Sequence, residues 1–374
     1  MKVAIVHEFL MTIGGAEKVL DSLLKLYPDA KVFTLMYKQD VVDEMQIKAI
    51  EASPLQKLPN FFKKRSKFLL PLFFFLLENF NFNEYDLVIS SSNSFAHGVI
   101  TRPDCLHVCY YHSPMRYVWD SFFSYFEEQK FNFLMGYVVK KILHKLRQWD
   151  LIASFRPDVR IANSQTVADR ILKFYRQDTD AVIFPPVTMP AKSDLTKTEE
   201  YALVVSRLSP YKKIDQAILA CKKLGLKLKI AGTGQDRDRL EAMADKNVEF
   251  LGKITEAKKW ELMHGASAFL FPGIDDFGIT PVEAMASQTP VVAFAQGGAT
   301  ETVIDQVTGT LYAEQTTDSL AQALQTTIEK QEQFQSKKLR QHAEKFTSSH
   351  FESKFKKLIN DLKVFQKWSG KKLL

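Results

Sequence analysis

Short runs of β-branched and apolar residues alternate along the chain with segments whose apolar positions recur at helical spacing. A continuous short apolar run is what a strand buried on both faces requires, and strand–helix alternation builds a parallel sheet covered by helices. In the first half KVAIVHEF, KVFTL, DLVIS, LHVCYYH, VRIAN and AVIFPPV read as strands. Between the first two, AEKVLDSLLKLY places Ala16, Val19, Leu20, Leu23 and Leu24 on one helix face. In the second half ALVVS, LKLKIAG, VEFLG, AFLFPG and PVVAFA are each followed by a polar turn and a helical pattern. Two such series predict an α/β chain of two doubly wound, Rossmann-like parallel-sheet domains. The polar, proline-bearing stretch PPVTMPAKSDLTKTEE separates them and puts the boundary near Pro190. The expected organisation is an N-terminal domain over 1–190, a C-terminal domain over 191–345, and a Lys-rich helical segment over 346–374 packing back across both.

The length of 374 residues fits two domains of ordinary size, and 46% apolar with 25% charged residues is a globular composition. Cys105, Cys109 and Cys221 include no C-x-x-C pair, which excludes a disulfide framework and a four-thiolate zinc site and fits a reducing cytoplasm. The N-terminal MKVAIVHEFL is cut by His7 and Glu8, too soon for a signal peptide's apolar region. The net charge of +7 has a local source. Lys57, Lys63, Lys64, Arg65 and Lys67 stand without an acid among them, and FLLPLFFFLL, with Phe73, Phe74 and Phe75, follows directly. That apolar run is shorter than the ~20 residues a helix needs to span a bilayer. The segment at about 57–82 therefore reads as a surface that lies on an anionic leaflet, extended by KKILHKLR at 140–147; a buried helix with a basic start is the competing reading. Its aromatics are packed together rather than interleaved with basic residues, which argues against nucleic acid.

Ligands of open α/β sheets bind beyond the carboxyl ends of the strands, so polar residues that follow strands carry the candidate chemistry. After the first strand, T-I-G-G-A-E sets Gly14 and Gly15 at a helix start where backbone N–H groups admit a phosphate, although a plain tight turn fits the same residues. After ALVV, S-R-L-S-P-Y-K-K sends out Arg207 and Lys212, a planar fork of donors and a point charge that suit a diphosphate; ordinary surface charge is the alternative. From Phe271 to Met285, F-P-G-I-D-D-F-G-I-T-P-V-E-A-M exposes Asp275 and Asp276, with the backbone of Phe277, Gly278 and Ile279 lining the crevice. Thr280 and Pro281 read as N-cap and first helical residue. Glu283 is then either the far end of a capping box or, with Asp275, a carboxylate that accepts from sugar or ribose hydroxyls. His112 ends LHVCYYH ahead of a proline turn, and His7 and His97 lie near comparable strand ends. G-T-G at Gly232 to Gly234 lacks the third glycine of a dinucleotide fingerprint, and VEFLG has no terminal acid, so a nicotinamide cofactor is disfavoured. No H-E-x-x-H, G-x-S-x-G or P-loop occurs, and the pairs Asp178/Asp180 and Asp236/Asp238 read as loop and helix-start acids, so no metal site is expected.

Taken together, S-R-L-S-P-Y-K-K-I-D, G-T-G and D-D-F-G-I-T-P-V-E-A-M-A-S-Q-T-P-V-V-A-F-A-Q-G-G-A-T-E-T-V closely resemble the retaining family 4 glycosyltransferases of the GT-B fold. V-H-E-F-L, G-G-A-E-K-V-L and Y-Y-H-S-P-M-R-Y-V-W-D resemble a bacterial subgroup that assembles surface polysaccharides on lipid carriers. The resemblance implies donor-binding roles for Gly14, Gly15, Gly232, Gly234, Lys253, Ile254, Phe277, Gly278, Ile279 and Glu283. It puts Gly15, Arg207 and Lys212 on the donor diphosphate, His112 against the transferred sugar, Asp275 on sugar hydroxyls and Glu283 on the ribose. Asp275 stands where the family has Glu, one methylene longer, and Asp276 can share its duty.

The implied reaction moves a sugar, with GDP-mannose as first candidate donor, to a lipid-linked saccharide, with retention, at the cytoplasmic face of the cell membrane. Two domains close over the donor. No metal or cofactor is called for, because fixed cations and helix N-termini meet the diphosphate's charge. A nucleotide-sugar epimerase or hydrolase of the same fold, or a non-catalytic membrane-surface protein, stays open as an alternative.

Overall fold

The computed structural model describes residues 1–59, 69–123, 126, 132–190 and 200–369. Lys63, Lys64, Arg65 and Lys67 of the basic segment lie outside them. The chain divides into two units, Met1–Pro185 with Phe351–Leu374, and Pro186–His350. The break thus falls a few residues ahead of Pro190, and the last helix, Ser348–Ser369, belongs to the first unit through Phe351, Phe355 and Ile359.

In the first unit the strands are β1 (Val3–His7), β2 (Phe9–Leu10), β3 (Lys31–Thr34), β4 (Met36–Tyr37), β5 (Ile50–Ala52), β6 (Leu87–Ser92), β7 (Leu106–Tyr111), β8 (Val159–Ala162) and β9 (Ala181–Val182). Seven of them form a parallel sheet in the order β5-β3-β1-β6-β7-β8-β9, and β2 pairs with β4 apart. All residues of β1, β6 and β7 are buried, as continuous apolar runs under helices on both faces demand. Two expectations change. KVAIVHEF breaks after His7, because the Glu8 carboxylate turns away to bind the chain that follows β6. Its Oε1 accepts the backbone N–H groups of Asn93 (3.1 Å), Ser94 (2.7 Å), Phe95 (2.5 Å) and Ala96 (2.9 Å), and the Ser92 hydroxyl at 3.3 Å. AVIFPPV contributes only Ala181–Val182, since the prolines beyond have no N–H for a ladder.

The phenylalanine-rich run is mostly core. Phe73 is 3% exposed and packs edge-on against Phe9 (5.2 Å) and Phe95 (5.7 Å), and Phe74 is half-buried against Trp149. Of the three phenylalanines assigned to a membrane surface, Phe75 alone presents its ring, at 57% exposure. Lys57 is exposed at the end of the turn Pro54–Lys57. Among the described residues no helix is long and apolar enough to cross a membrane.

The second unit comprises β10 (Tyr201–Val205), β11 (Lys227–Ala231), β12 (Val248–Gly252), β13 (Ala268–Phe271), β14 (Val291–Phe294) and β15 (Gly309–Tyr312), all parallel in the order β12-β11-β10-β13-β14-β15. Each sheet therefore reverses its strand order once, between β1 and β6 in the first unit and between β10 and β13 in the second. The carboxyl ends at such a reversal leave an open crevice, which is where ligands of this architecture sit.

Glu8→Gln keeps the shape but removes the charge from a carboxylate that holds four amides and a hydroxyl. We expect about 2 kcal/mol or more of destabilisation, the scale for charge-assisted bonds to a buried group. Urea unfolding checks this, and a midpoint equal to that of the unsubstituted chain would refute it.

Candidate active site

In the second unit, β10 ends at Val205 and the next three residues form a loop clasped by the one after β11. Ser206 donates its N–H to the Ala231 carbonyl and Leu208 to that of Thr233, both at 3.0 Å. This contact explains G-T-G. A Cβ on Gly232 would overlap the Ser206 carbonyl oxygen, and one on Gly234 the Leu208 carbonyl oxygen. The two glycines spend their missing side chains on their own chain, and what they place is the exposed Arg207 between them.

Arg207 lines a cavity of about 370 Å³ together with Gly232, Lys253, Ile254, Glu256, Lys259 and Thr280. Three cations thus surround one hollow at the carboxyl ends of β10, β11 and β12. Lys259 was not legible beforehand. It sits on the helix Glu256–Gly265 with no motif around it, and it reaches Glu283 at 2.9 Å and Glu256 at 2.8 Å. Glu283 is 2% exposed, so its ion pair with Lys259 lies out of water. A larger hollow of about 430 Å³, between the amino ends of β1 and β3, is lined by Met1, Lys2, Tyr27, Lys31 and Glu84 among others. It lies at the wrong end of the strands for this architecture's chemistry.

The expected capping box does not form. The helix Ile279–Ala286 starts two residues early, with Gly278 in the left-handed region (φ 86°) as N-cap, so Thr280 and Pro281 are already inside it. Glu283 is consequently released from capping and turns to Lys259. Lys212 and Asp275 also depart from expectation, because they hold each other: Nζ lies 2.6 Å from Oδ1 and 2.5 Å from Oδ2. The pair bridges the strand reversal, Lys212 following β10 and Asp275 following β13. Gly273 permits it, since a Cβ there would stand 2.8 Å from the Lys212 Cα. Phe277 buries its ring against Phe346 at 5.7 Å, and the Gly298 N–H fixes the loop by donating to the Asp275 carbonyl at 2.9 Å.

In the first unit, Gly14 is the N-cap of the helix Gly15–Leu26, and its N–H donates to Glu17 Oε2 at 2.8 Å, so that amide is already used within the loop. Glu17 stands below the ordinary carboxyl range: burial pushes it up, but His7 and the N–H groups of Gly14 and Glu17 itself outweigh that. His112 follows β7. Its backbone N–H donates to the Ser92 carbonyl and its carbonyl accepts from the Asn163 amide, both at 2.9 Å. Its ring is pushed down to about 3, above all by burial, which makes it a neutral imidazole near pH 7. Among the described residues no three His, Cys, Asp or Glu side chains gather as a metal site requires.

Residues 13–188 match the Glycosyltransferase Family 4 domain, and residues 188–346 match Glycosyl transferases group 1. The fold is shared with Anabaena HepE, crystallised with UDP, at a TM-score of 0.71 and 19% identity over 96% of this chain and 100% of that one. Both halves of the chain are glycosyltransferase domains of the GT-B group. The group 1 domain holds the cation-lined cavity and the family 4 domain holds His112. The D-inositol 3-phosphate glycosyltransferase of Mycobacteroides abscessus is 28% identical over 45% of this chain and 43% of its own. The mouse α-1,3/1,6-mannosyltransferase ALG2 is 39% identical over 19% of this chain and 17% of its own. The chain therefore spans less than half the length of either curated relative.

One surface of the family 4 domain escaped the sequence reading. The helix Phe133–Ala153 opens with Phe133 (93% exposed), Leu134 (73%), Met135, Tyr137 and Val138 in the open, followed by exposed Lys140, Lys141 and Lys145. Its apolar residues precede the basic stretch 140–147 and do not alternate in a way that marks a buried face.

Lys259→Met leaves Glu283 charged and buried without its partner. A loss of about 3 kcal/mol or more is expected, and pairing it with Glu283→Leu should return part of that loss. A thermal-unfolding double-mutant cycle with no coupling would refute the ion pair.

Proposed function

We propose that this protein transfers a sugar from a nucleotide diphosphate-sugar to a lipid-linked saccharide, with retention at the anomeric carbon and without a metal ion. The observation that carries the reading is the cavity where Arg207, Lys253 and Lys259 converge at the carboxyl ends of β10 to β12. A diphosphate leaving group develops its charge as the glycosidic bond breaks, and preorganised cations that meet it lower the barrier directly. The second unit takes the nucleotide. Asp275 anchors the Lys212 ammonium, and its remaining lone pairs accept from sugar hydroxyls. A neutral His112 serves the sugar as a hydrogen-bonding group rather than as a charge. Among the described residues none is assigned as a covalent carboxylate nucleophile; in this reading the acceptor attacks on the face the diphosphate leaves, and a phosphate oxygen takes the acceptor proton.

GDP-mannose is the first candidate donor, in keeping with the mannosyltransferase ALG2 among the relatives, and UDP-sugars follow, as HepE holds UDP. The acceptor side lies at a membrane. Exposed Phe133, Leu134 and Tyr137 beside Lys140, Lys141 and Lys145 form the apolar and basic face that an anionic leaflet attracts, each cation adding about 1 kcal/mol near the surface. That face supports the reading of a protein working at the inner, cytoplasmic face of the cell membrane.

The test is nucleotide release from a panel of nucleotide sugars, with and without membrane lipid extract and with and without chelator. Release that depends on the extract and survives chelation is expected; full release without acceptor would make the protein a hydrolase or epimerase instead. Lys212→Ala should lower turnover about 100-fold or more, the scale for one preorganised charge partner. Near-normal turnover would remove Lys212 from the site. On anionic vesicles at low salt, Phe133→Ser with Leu134→Ser should reduce co-sedimentation, and unchanged pelleting would move the membrane face elsewhere.

A further inference from the structure

The carboxyl ends of β1, β6 and β7 carry a side-chain chain that leads to His112 and whose other members no role above uses. His7 and Ser91 are register partners across β1 and β6, and His112 follows the neighbouring β7. The His112 Nε2 lies 2.8 Å from Ser91 Oγ, Ser91 Oγ 3.1 Å from His7 Nδ1, and His7 Nε2 3.5 Å from Glu17 Oε1. The other oxygen of Glu17 is held by the Gly14 N–H. His7, Ser91 and His112 are each less than a tenth exposed, so water does not compete for these bonds.

We infer that Glu17, His7 and Ser91 are positioning residues that fix which ring nitrogen of His112 carries the proton. The direction follows from the end of the chain. An ionised carboxylate only accepts, so a His7 that carries a single proton gives its Nε2–H to Glu17 and offers Nδ1 as acceptor. Ser91 then donates its O–H to His7 and has lone pairs left for His112, which must bring its proton on Nε2. The Nδ1 of His112 is left as the ring's acceptor. Burial keeps the ring neutral, so the tautomer, not the charge, is the variable being set. Because the assignment of His112 to the transferred sugar belongs to the proposed transfer reaction, the catalytic consequence rests on that reading; the tautomer itself does not. The tie to Gly14 also makes the glycine loop and His112 two ends of one network.

Glu17→Gln is the decisive variant. The Gly14 N–H continues to hold the side-chain carbonyl, which turns the introduced NH₂ toward His7. A donor now stands where an acceptor stood, so every bond reverses and the proton of His112 moves to Nδ1. Imidazole ¹⁵N chemical shifts of the full chain labelled at histidine read this without any substrate, with the His112 signal assigned by its loss in His112→Gln. The expected result is Nε2–H in the unsubstituted chain and Nδ1–H in Glu17→Gln. Ser91→Ala is the second variant, cutting the chain in the middle, and should show both tautomers. A protonated Nδ1 in the unsubstituted chain, or one tautomer across all three proteins, would overturn the inference. In turnover, Glu17→Gln should lower kcat roughly 10-fold or more with little change in donor KM, the scale for losing an outer partner of a functional imidazole. Tautomer reversal with no sugar transfer in any protein sinks the transfer reading alone; transfer with an unmoved tautomer sinks the positioning role alone.

Discussion

A carboxylate withdrawn from water must be met by a cation or by several N–H groups, because the uncompensated charge costs more than most folds can spare. That requirement organises both units. Glu8, Glu17, Asp150 and Glu283 are all largely buried, and each meets its partner on a different element. Glu8 gathers the amides of residues 93–96, Glu283 takes Lys259, and Asp150 accepts from the Trp119 indole at 2.7 Å and the Tyr175 hydroxyl at 2.9 Å. The half-buried Asp275 does the same with Lys212. Two of these contacts lie at the points of strand reversal, Glu8 joining the ends of β1 and β6, and Lys212 with Asp275 joining those of β10 and β13. At a reversal the two neighbouring loops run to opposite sides of the sheet, so little backbone bonding holds them together. Charge pairing supplies the missing tie at the place where the architecture leaves its crevice.

The alternation of apolar runs and helical patterns was enough to read two parallel sheets and most of their strands, since burial on both faces is a local demand that each strand answers with its own residues. Ile50–Ala52 and Gly309–Tyr312 escaped because the first is short and half-buried and the second carries a glycine and a threonine. The candidate site was legible only as far as its signals were local. Arg207, Gly232, Lys253 and Ile254 all follow strands and do line one cavity. Partner choice was not legible: Lys212 and Asp275 are 63 positions apart, and His7 and Ser91 are 84 apart. The phenylalanine run misled in the same way, because the same ten residues suit a leaflet or a core, and only the rings of Phe9, Phe95 and Trp149 decide in favour of the core for Phe73 and Phe74.

The two sheets present different chemistry at equivalent places. The first offers hydrogen-bonding groups in an ordered chain, an imidazole, a hydroxyl and a second imidazole, whereas the second offers ammonium and guanidinium groups. In the proposed transfer reaction the first set suits a hexose and the second a diphosphate. A hexose is recognised by hydrogen bonds whose direction must be right, so a fixed tautomer is worth more there than a charge. A departing diphosphate is recognised by full positive charge, for which direction matters less.

Not all of the second unit's cations contribute equally. Lys259 is shared between Glu256 and Glu283, and Lys212 is closed on Asp275, so much of their charge is already answered within the protein. Among the described residues Arg207 and Lys253 hold no such carboxylate. Of these two, Arg207 is the preorganised one, because the backbone on either side of it is bonded to the loop after β11 and the two glycines make that approach sterically possible. The Asp275 carboxylate stays on the Lys212 ammonium, at 2.6 and 2.5 Å, and holds it in place. Arg207 and Lys253 are thereby left as the net positive charges lining the cavity, with the Lys259–Glu256 pair in the wall beside them.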